Sequence, residues 1–330
     1  MSRMRPSRRV LLGAAGIALA QLAGLVPAPA RAEAPTEIRL DWATYNPVGL
    51  LLKEKGFLEE ALKPRGIKVR WVQSLGSNKA LEFLNAGAID FGSAAGAAAL
   101  VARINGNPIK AVYAFSRPEW TALVTRKDTG IARPADLKGR RVAVTRGTDP
   151  HIFLIRALQG AGLTEKDAKL VLLQHPDGRT ALERGDVDAW AGLDPMMAAA
   201  EIEGGAVLFH RDAAANTWGL LDVREAFAKE NPELVRVVIA AYEQARAYAL
   251  ANPQALAAAL VAATKLPEPV IARQLERTDI TQPAIGPAQA DSIKAAGLAL
   301  QQAGVIAAGT DVAAAVDGLL DPSFNPAPAR

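Results

Sequence analysis

The chain has 330 residues, half of them apolar, and no cysteine. That length holds two domains with cores of their own, and that apolar fraction excludes disorder over most of it. The formal charge of +4 is concentrated at one end: residues 1–32 carry Arg3, Arg5, Arg8, Arg9 and Arg31 and no acidic side chain, which leaves 33 basic against 34 acidic residues in the remainder. A near-neutral remainder offers no basic surface to nucleic acid or to an anionic membrane. Without cysteine there is no disulfide, no thiolate nucleophile and no lipid-bearing thiol.

The arginine head is followed by an uncharged run from Val10 to Ala30 and by Ala30-Arg31-Ala32. Basic head, apolar middle and small-x-small site make a secretory signal, with cleavage predicted after Ala32. Pro27, Pro29 and the lack of a basic stop argue against a transmembrane anchor. Arg8-Arg9 also fits the twin-arginine export route, although Leu11 stands where Phe is preferred, so both export routes stay open. The expected mature protein is a monomer, free in the periplasm.

After the signal, "EIRLDWA" (37–43) alternates like a strand and ends in the polar turn Thr44-Tyr45-Asn46-Pro47, which opens a helix to about Leu62. A strand at 67–73, a helix capped by Ser77 and ended by Gly87, a short strand in "AIDFGSA", a helix over 96–106 and a strand at 109–115 follow. The alternation then restarts with a strand at 121–127, a short helix and strand through "PADLKGRRVAV", and a helix over 150–160. In that last turn Asp149 is the predicted N-cap and Pro150 the first helical residue. A strand at 168–174, a helix over 177–184, the buried strand "GDVDAWAGL", a helix over 195–203 and the strand "AVLFH" complete the second set. Beyond 220 the pattern is helical: 222–230, 232–251, 253–264, 267–276, 287–303 and 309–319, with a frayed tail "DPSFNPAPAR". Alternating strands and helices mean mostly parallel sheets flanked by helices. The expected fold is α/β with two lobes, 33–117 plus 219–330 and 118–218, the helical C-terminal run packing on the first. The chain would cross between lobes near 116–120 and 217–221.

Enzyme signatures are absent. His151, His175 and His210 have no metal-ligand spacing, "FGSAAG" lacks the first glycine of a nucleophile elbow, and no phosphate loop is present. No metal and no cofactor are expected. What remains are four turns at strand ends, each before a helix: Thr44–Asn46, Ser74–Ser77, Gly92–Gly96 and Arg146–Thr148. One such turn is ordinary helix capping. Four of them facing a cleft would form an anion site from backbone N–H groups and helix dipoles. Trp42, Trp120, Trp190 and Trp218 lie on or beside the same ends and are candidates for an apolar wall, against the plainer alternative of core packing.

The stretches "KEKGFLEEALKPRGIKVRW", "ALEFLNAGAIDFGSA", "PADLKGRRVAVTRGTDPHIFLIRAL" and "ALERGDVDAWAGLDPMMAAAE" resemble the periplasmic aliphatic-sulfonate-binding proteins, in the nitrate/sulfonate/taurine group of ABC-importer binding proteins. The resemblance runs in order over nearly all of the chain after the signal. It implies the type 2 two-lobed periplasmic binding fold, hinge closure over a small organic anion, and docking on an inner-membrane ABC permease. It places Ser93 and Ala94 at one helix start, Gly147 and Thr148 at another, and Trp190 and Asp194 on the second lobe's floor. Tyr45, Asn46, Ser74, Gly76, Trp120, Asp149, His151 and Trp218 complete the candidate ligand set. Two departures stand out. The turn before His151 is Gly-Thr-Asp where the family commonly has Gly-Ser-Asn, and "NTWGLL" (216–221) differs from the usual hinge. Sulfate ester, taurine, nitrate or pyrimidine ligands are the alternatives within the class. A pyrimidine-precursor synthase using His151 is the alternative from another class, and an effector-sensing domain a third.

Overall fold

The computed structural model describes residues 35–327, so the predicted signal and its cleavage site lie outside the described residues. The first half-lobe runs β1 (Glu37–Trp42), α1 (Pro47–Lys55), α2 (Phe57–Leu62), β2 (Lys68–Gln73), α3 (Ser77–Asn85), β3 (Phe91–Ala95), α4 (Gly96–Ile104) and β4 (Ile109–Pro118). The predicted helix 47–62 is therefore two helices. Gly56 breaks it with φ 66°, a left-handed turn that glycine adopts without steric cost. Val48, Leu51 and Leu52 of α1 are fully buried, each contributing roughly 2 kcal/mol of apolar burial.

The second lobe follows with β5 (Thr121–Thr125), β6 (Arg141–Val144), α5 (Asp149–Gly160), β7 (Lys169–Leu172), α6 (His175–Arg184), β8 (Ala189–Leu193), α7 (Met196–Ile202) and β9 (Val207–His210). Its sheet has the order β7-β6-β8-β5-β9. β6 pairs in parallel with β7 and β8, and β5 runs antiparallel to β8 and β9. The chain then returns as β10 (Gly219–Arg224), α8 (Glu225–Glu230), α9 (Pro232–Ala251), α10 (Pro253–Thr264), α11 (Glu268–Glu276), β11 (Thr278–Asp279), α12 (Pro287–Gln302) and α13 (Val312–Leu319).

β10 corrects the sequence reading, which gave this region no strand. It is inserted antiparallel between β3 and β4 in the sheet β11-β4-β10-β3-β1-β2, where Asp222 is fully buried. A strand covered on both faces shows no alternation, and its run into Arg224-Glu225 reads as a helix start. The tail is a second correction. Pro322–Phe324 form a turn, Phe324 is buried, and the Asn325 amide bonds both Ile285 backbone groups at 2.8 Å.

One core cluster fills the first lobe and continues across the lobe boundary through Trp120, Ile152, Ile155 and Leu193. The second sheet has its own two layers, with Phe153, Leu154 and Leu158 of α5 on one face and Trp190 among Leu182 and Met197 on the other. α9 packs on α1 and α2, and α12 and α13 pack on α4, while α11 reaches α7 of the second lobe. No helix among the described residues is long and apolar enough to cross a membrane.

Candidate ligand-binding site

Four residues of the predicted anion site meet in the first lobe, but around a buried carboxylate. Asp41, at the end of β1, accepts the Ser93 N–H at 2.8 Å, the Ser93 hydroxyl at 2.9 Å and the Ser74 hydroxyl at 2.6 Å. Asn46 donates its amide to Ser93 Oγ at 2.8 Å and to the Tyr242 hydroxyl at 3.3 Å, and its Oδ1 caps α1 on Gly49 N–H at 2.9 Å. The Tyr45 hydroxyl donates to the Ser93 carbonyl at 2.9 Å. Burial pushes the Asp41 carboxyl up to about 6, against the downward pull of its three donors. Tyr45, Asn46, Ser74 and Ser93 thus spend their polar atoms on one another. Ala94 is paired with Leu220 inside the sheet and is fully buried. These residues position the helix starts of the first lobe and meet a solute only by surrendering a bond they already make.

Asp149 also differs from its predicted role. The N-cap of α5 is Thr148, and Asp149 is the first helical residue. Its carboxylate turns away from the helix end and ties the two crossing segments together. It accepts the Trp120 indole N–H at 2.9 Å, the Thr217 N–H at 2.9 Å and the Thr217 hydroxyl at 2.7 Å. The Thr217 hydroxyl oxygen in turn accepts the Ala97 N–H of α4 at 3.2 Å. Thr148 directs its hydroxyl to the Thr145 carbonyl at 2.6 Å. Trp120 stacks edge-on against Tyr45 at 5.9 Å, joining the lobes beside the hinge.

The remaining aromatic and acidic candidates are structural as well. Trp190 is fully buried under α6, so it is core and not an apolar wall. Trp218 is buried, lies 5.8 Å from the Arg117 guanidinium and gives its carbonyl to the Gly96 N–H. Asp194 accepts the Ala198 N–H at 2.9 Å and pairs with Arg277, at the end of α11, at 3.4 Å; Arg277 also pairs with Glu201. Burial pushes Asp194 up to about 7, the Arg277 charge opposing it. This cluster clasps the second lobe to the first at the hinge.

An open cavity of about 480 Å³ lies between the lobes, one turn outward from these networks. The first lobe supplies Asn78 and Leu81 of α3, Ala98, Val101 and Ala102 of α4, Leu300 of α12 and Val305 in the turn after it. The second supplies Arg146, Gly147, His151, Ile152 and Glu165. His151 is held by its neighbours: Nδ1 lies 3.5 Å from the Gly147 N–H and Nε2 lies 2.8 Å from Glu165 Oε1. That contact draws the Glu165 carboxyl down from its ordinary value. Arg146 makes no ion pair or side-chain hydrogen bond among the described residues. The cavity therefore offers a guanidinium without an ion pair beside the start of α5, near enough to Glu165 to help draw its carboxyl down, and a wall of aliphatic carbons. Of the predicted residues it contains Gly147 and His151. Asp41, Asn78, Arg146 as a side chain, Thr217 and the apolar wall were not singled out from the sequence. The helical spacing of Ala80, Leu81 and Leu84 in α3 is the available signal for one residue of that wall, Leu81.

Residues 49–256 match the family described as NMT1/THI5 like. The chain belongs to this family. It is 31% identical over 261 residues to an aliphatic sulfonates-binding protein of Escherichia coli (strain K12), covering 77% of this chain and 81% of that relative. The crystal structure of the periplasmic aliphatic sulphonate binding protein SsuA from Escherichia coli superposes with a TM-score of 0.71 at 27% identity, covering 84% of this chain and 91% of that one. The alkanesulfonate-binding protein SsuA from Xanthomonas axonopodis pv. citri, bound to MOPS, gives a TM-score of 0.77 at 24% identity, covering 85% and 98%. The two sheets of this NMT1/THI5-like chain are thus the two lobes of the periplasmic-binding-protein fold, and these relatives are binding proteins by name.

Proposed function

We propose that this NMT1/THI5-like protein is the periplasmic solute-binding component of an ABC importer and captures aliphatic sulfonates. The observation that carries this reading is the interlobe cavity, where an unpaired Arg146 and the start of α5 adjoin an aliphatic wall. A sulfonate head is a permanent anion and suits a guanidinium and a helix N-terminus. Its alkyl chain gains by leaving water against Leu81, Val101, Leu300 and Val305. Lobes 33–117 with 219–330 and 118–218 close over the solute at the hinge held by Asp149, Thr217 and the Asp194–Arg277 pair. The closed form then docks on the permease, and the solute leaves unchanged. In this reading Gly147 and His151 are the ligand-facing members of the predicted set, with Arg146 added to them. Its relationship to named sulfonate-binding proteins supports the same solute class.

Calorimetry with alkanesulfonates, sulfate esters, nitrate and a pyrimidine tests it. Sulfonates should bind one to one and be recovered intact, and Arg146→Gln should weaken them several-fold, more at low salt. Binding of nitrate or the pyrimidine alone would overturn the sulfonate reading, and recovery of a cleaved solute would overturn binding without turnover.

A further inference from the structure

Two helix starts meet across the cleft, one from each lobe. α3 begins at Gly76-Ser77-Asn78 and α6 at Gln174-His175. His175 is fully buried, and neither of its ring nitrogens has a hydrogen-bond partner. Asn78 Oδ1 and Gln174 Oε1 are buried and unpartnered in the same way. The contact is direct. A Cβ placed on Gly76 would lie 2.8 Å from Asn78 Oδ1 and 3.2 Å from His175 Nε2. The Gly76 backbone is extended, with φ 170°, so what favours glycine there is the closeness of these neighbours and not the backbone conformation. Asn78 also lines the interlobe cavity, with its Cβ 3.6 Å from where a Gly147 Cβ would stand, so the seam adjoins the cavity through Asn78.

Buried polar atoms are normally paired, because each one left unpaired loses its hydration for nothing. The unpaired atoms here come from helix starts of both lobes. At Gly76 they comprise the Asn78 amide oxygen, which accepts, and an imidazole that offers one donor and one acceptor. No charged side chain perturbs His175; burial alone holds its conjugate acid down, at about 3. A hydroxyl group fits this set, since it donates to an amide oxygen and accepts from the imidazole N–H. An ammonium fits it poorly, having three donors, no acceptor and no carboxylate at the seam to offset its desolvation.

We propose that this seam is a second subsite of the ligand pocket, that it holds a hydroxyl group on the solute's carbon chain, and that His175 is its specificity-determining residue. The inference rests on the sulfonate reading above and narrows it to hydroxyalkanesulfonates.

The test is titration of the mature protein with ethanesulfonate, 2-hydroxyethanesulfonate and 2-aminoethanesulfonate. The hydroxyl compound should bind roughly tenfold or more tighter than the other two, because a site built to hydrogen-bond a hydroxyl discriminates against its absence. In His175→Leu the ratio between the hydroxyl compound and ethanesulfonate should collapse to within about twofold of unity. Equal binding by the wild-type protein, or a ratio that survives in His175→Leu, overturns this inference and leaves the sulfonate reading intact. Failure of every sulfonate to bind overturns both. A measurement on the wild-type protein stands beside the variant: the His175 ring nitrogens, followed by nitrogen NMR, should shift with 2-hydroxyethanesulfonate and not with ethanesulfonate. Ring signals unmoved by the hydroxyl compound would also overturn it.

Discussion

The Asp41 nest and the His175 seam are made of similar parts and balanced in opposite ways. Both sit where helices start beside strand ends, and both are almost wholly removed from water. In the nest, the Asp41 carboxylate collects three donors, and Asn46, Tyr45 and Tyr242 close the circuit. At the seam, His175 collects none. The nest lies within one lobe and is complete once that lobe has folded. The seam exists only where two lobes meet, so its completion is left to whatever arrives between them. Satisfied buried polar groups fix a structure, whereas unsatisfied ones at a movable interface define what it accepts.

Stability should separate the two most sharply. Asp41→Ala leaves three donors facing a void and should cost about 3 kcal/mol or more in urea unfolding. His175→Leu removes two unpaired nitrogens and should be neutral or stabilising by up to about 1 kcal/mol. The pH dependence follows from the same burial. The His175 conjugate acid is depressed from 6.5 to about 3 in the folded chain, so its contribution is fully present above pH 6.5 and lost as pH falls toward 3. The advantage of His175→Leu over wild type should therefore widen through that window. A loss of several kcal/mol in His175→Leu at pH 7 would show that the ring is a packing element and dissolve the contrast.

Asp149 belongs with the nest in this comparison, although the sequence placed it at the ligand. Its carboxylate accepts three bonds from Trp120 and Thr217, with burial raising its pKa. Asp149→Asn keeps one accepting oxygen and turns an NH2 group toward a donor. It should cost about 1–2 kcal/mol of stability, measured by thermal unfolding, and change sulfonate affinity less than Arg146→Gln does. A large gain in sulfonate affinity without loss of stability would return Asp149 to the ligand.

The features legible in sequence are the local ones. Strand–turn–helix alternation pointed to an α/β fold of two lobes, and the turn at Arg146–Thr148 was marked by Gly147 and Pro150, which act within a few residues of themselves. β10 was not legible because a strand buried on both faces carries no period, and Asp222 inside it reads as polar surface. The nest was half legible. Its serines and Asn46 stand at recognisable helix starts, but their partners Asp41 and Tyr242 lie as far as 196 positions away. Asp149 followed by Pro reads as a cap, and only the fold reveals that Thr217 and Trp120 compete for its oxygens. His175 carried no signal at all, because its meaning lies in the bonds it does not make.

The smallest change that probes the seam is Gly76→Ala. With φ 170° the backbone accepts alanine, and α3 has no side-chain cap to lose, so stability should fall by no more than about 1 kcal/mol. The added methyl would meet Asn78 Oδ1 at 2.8 Å and His175 Nε2 at 3.2 Å. Asn78 belongs to the same helix and yields by rotating its amide. His175 belongs to the other lobe, so the contact is relieved only if the ring moves or the lobes stand a few tenths of an ångström apart. Closure, not folding, bears that cost, and affinity should drop roughly threefold to tenfold, about 1 kcal/mol, for every sulfonate alike. His175→Ala in the same chain opens the space again. Affinity measured across the four-member cycle should show the Gly76→Ala penalty shrinking toward zero in the His175→Ala background. Equal penalties in both backgrounds would mean that Gly76 and His175 do not meet in the liganded protein, and that the seam stays open when the cleft is full.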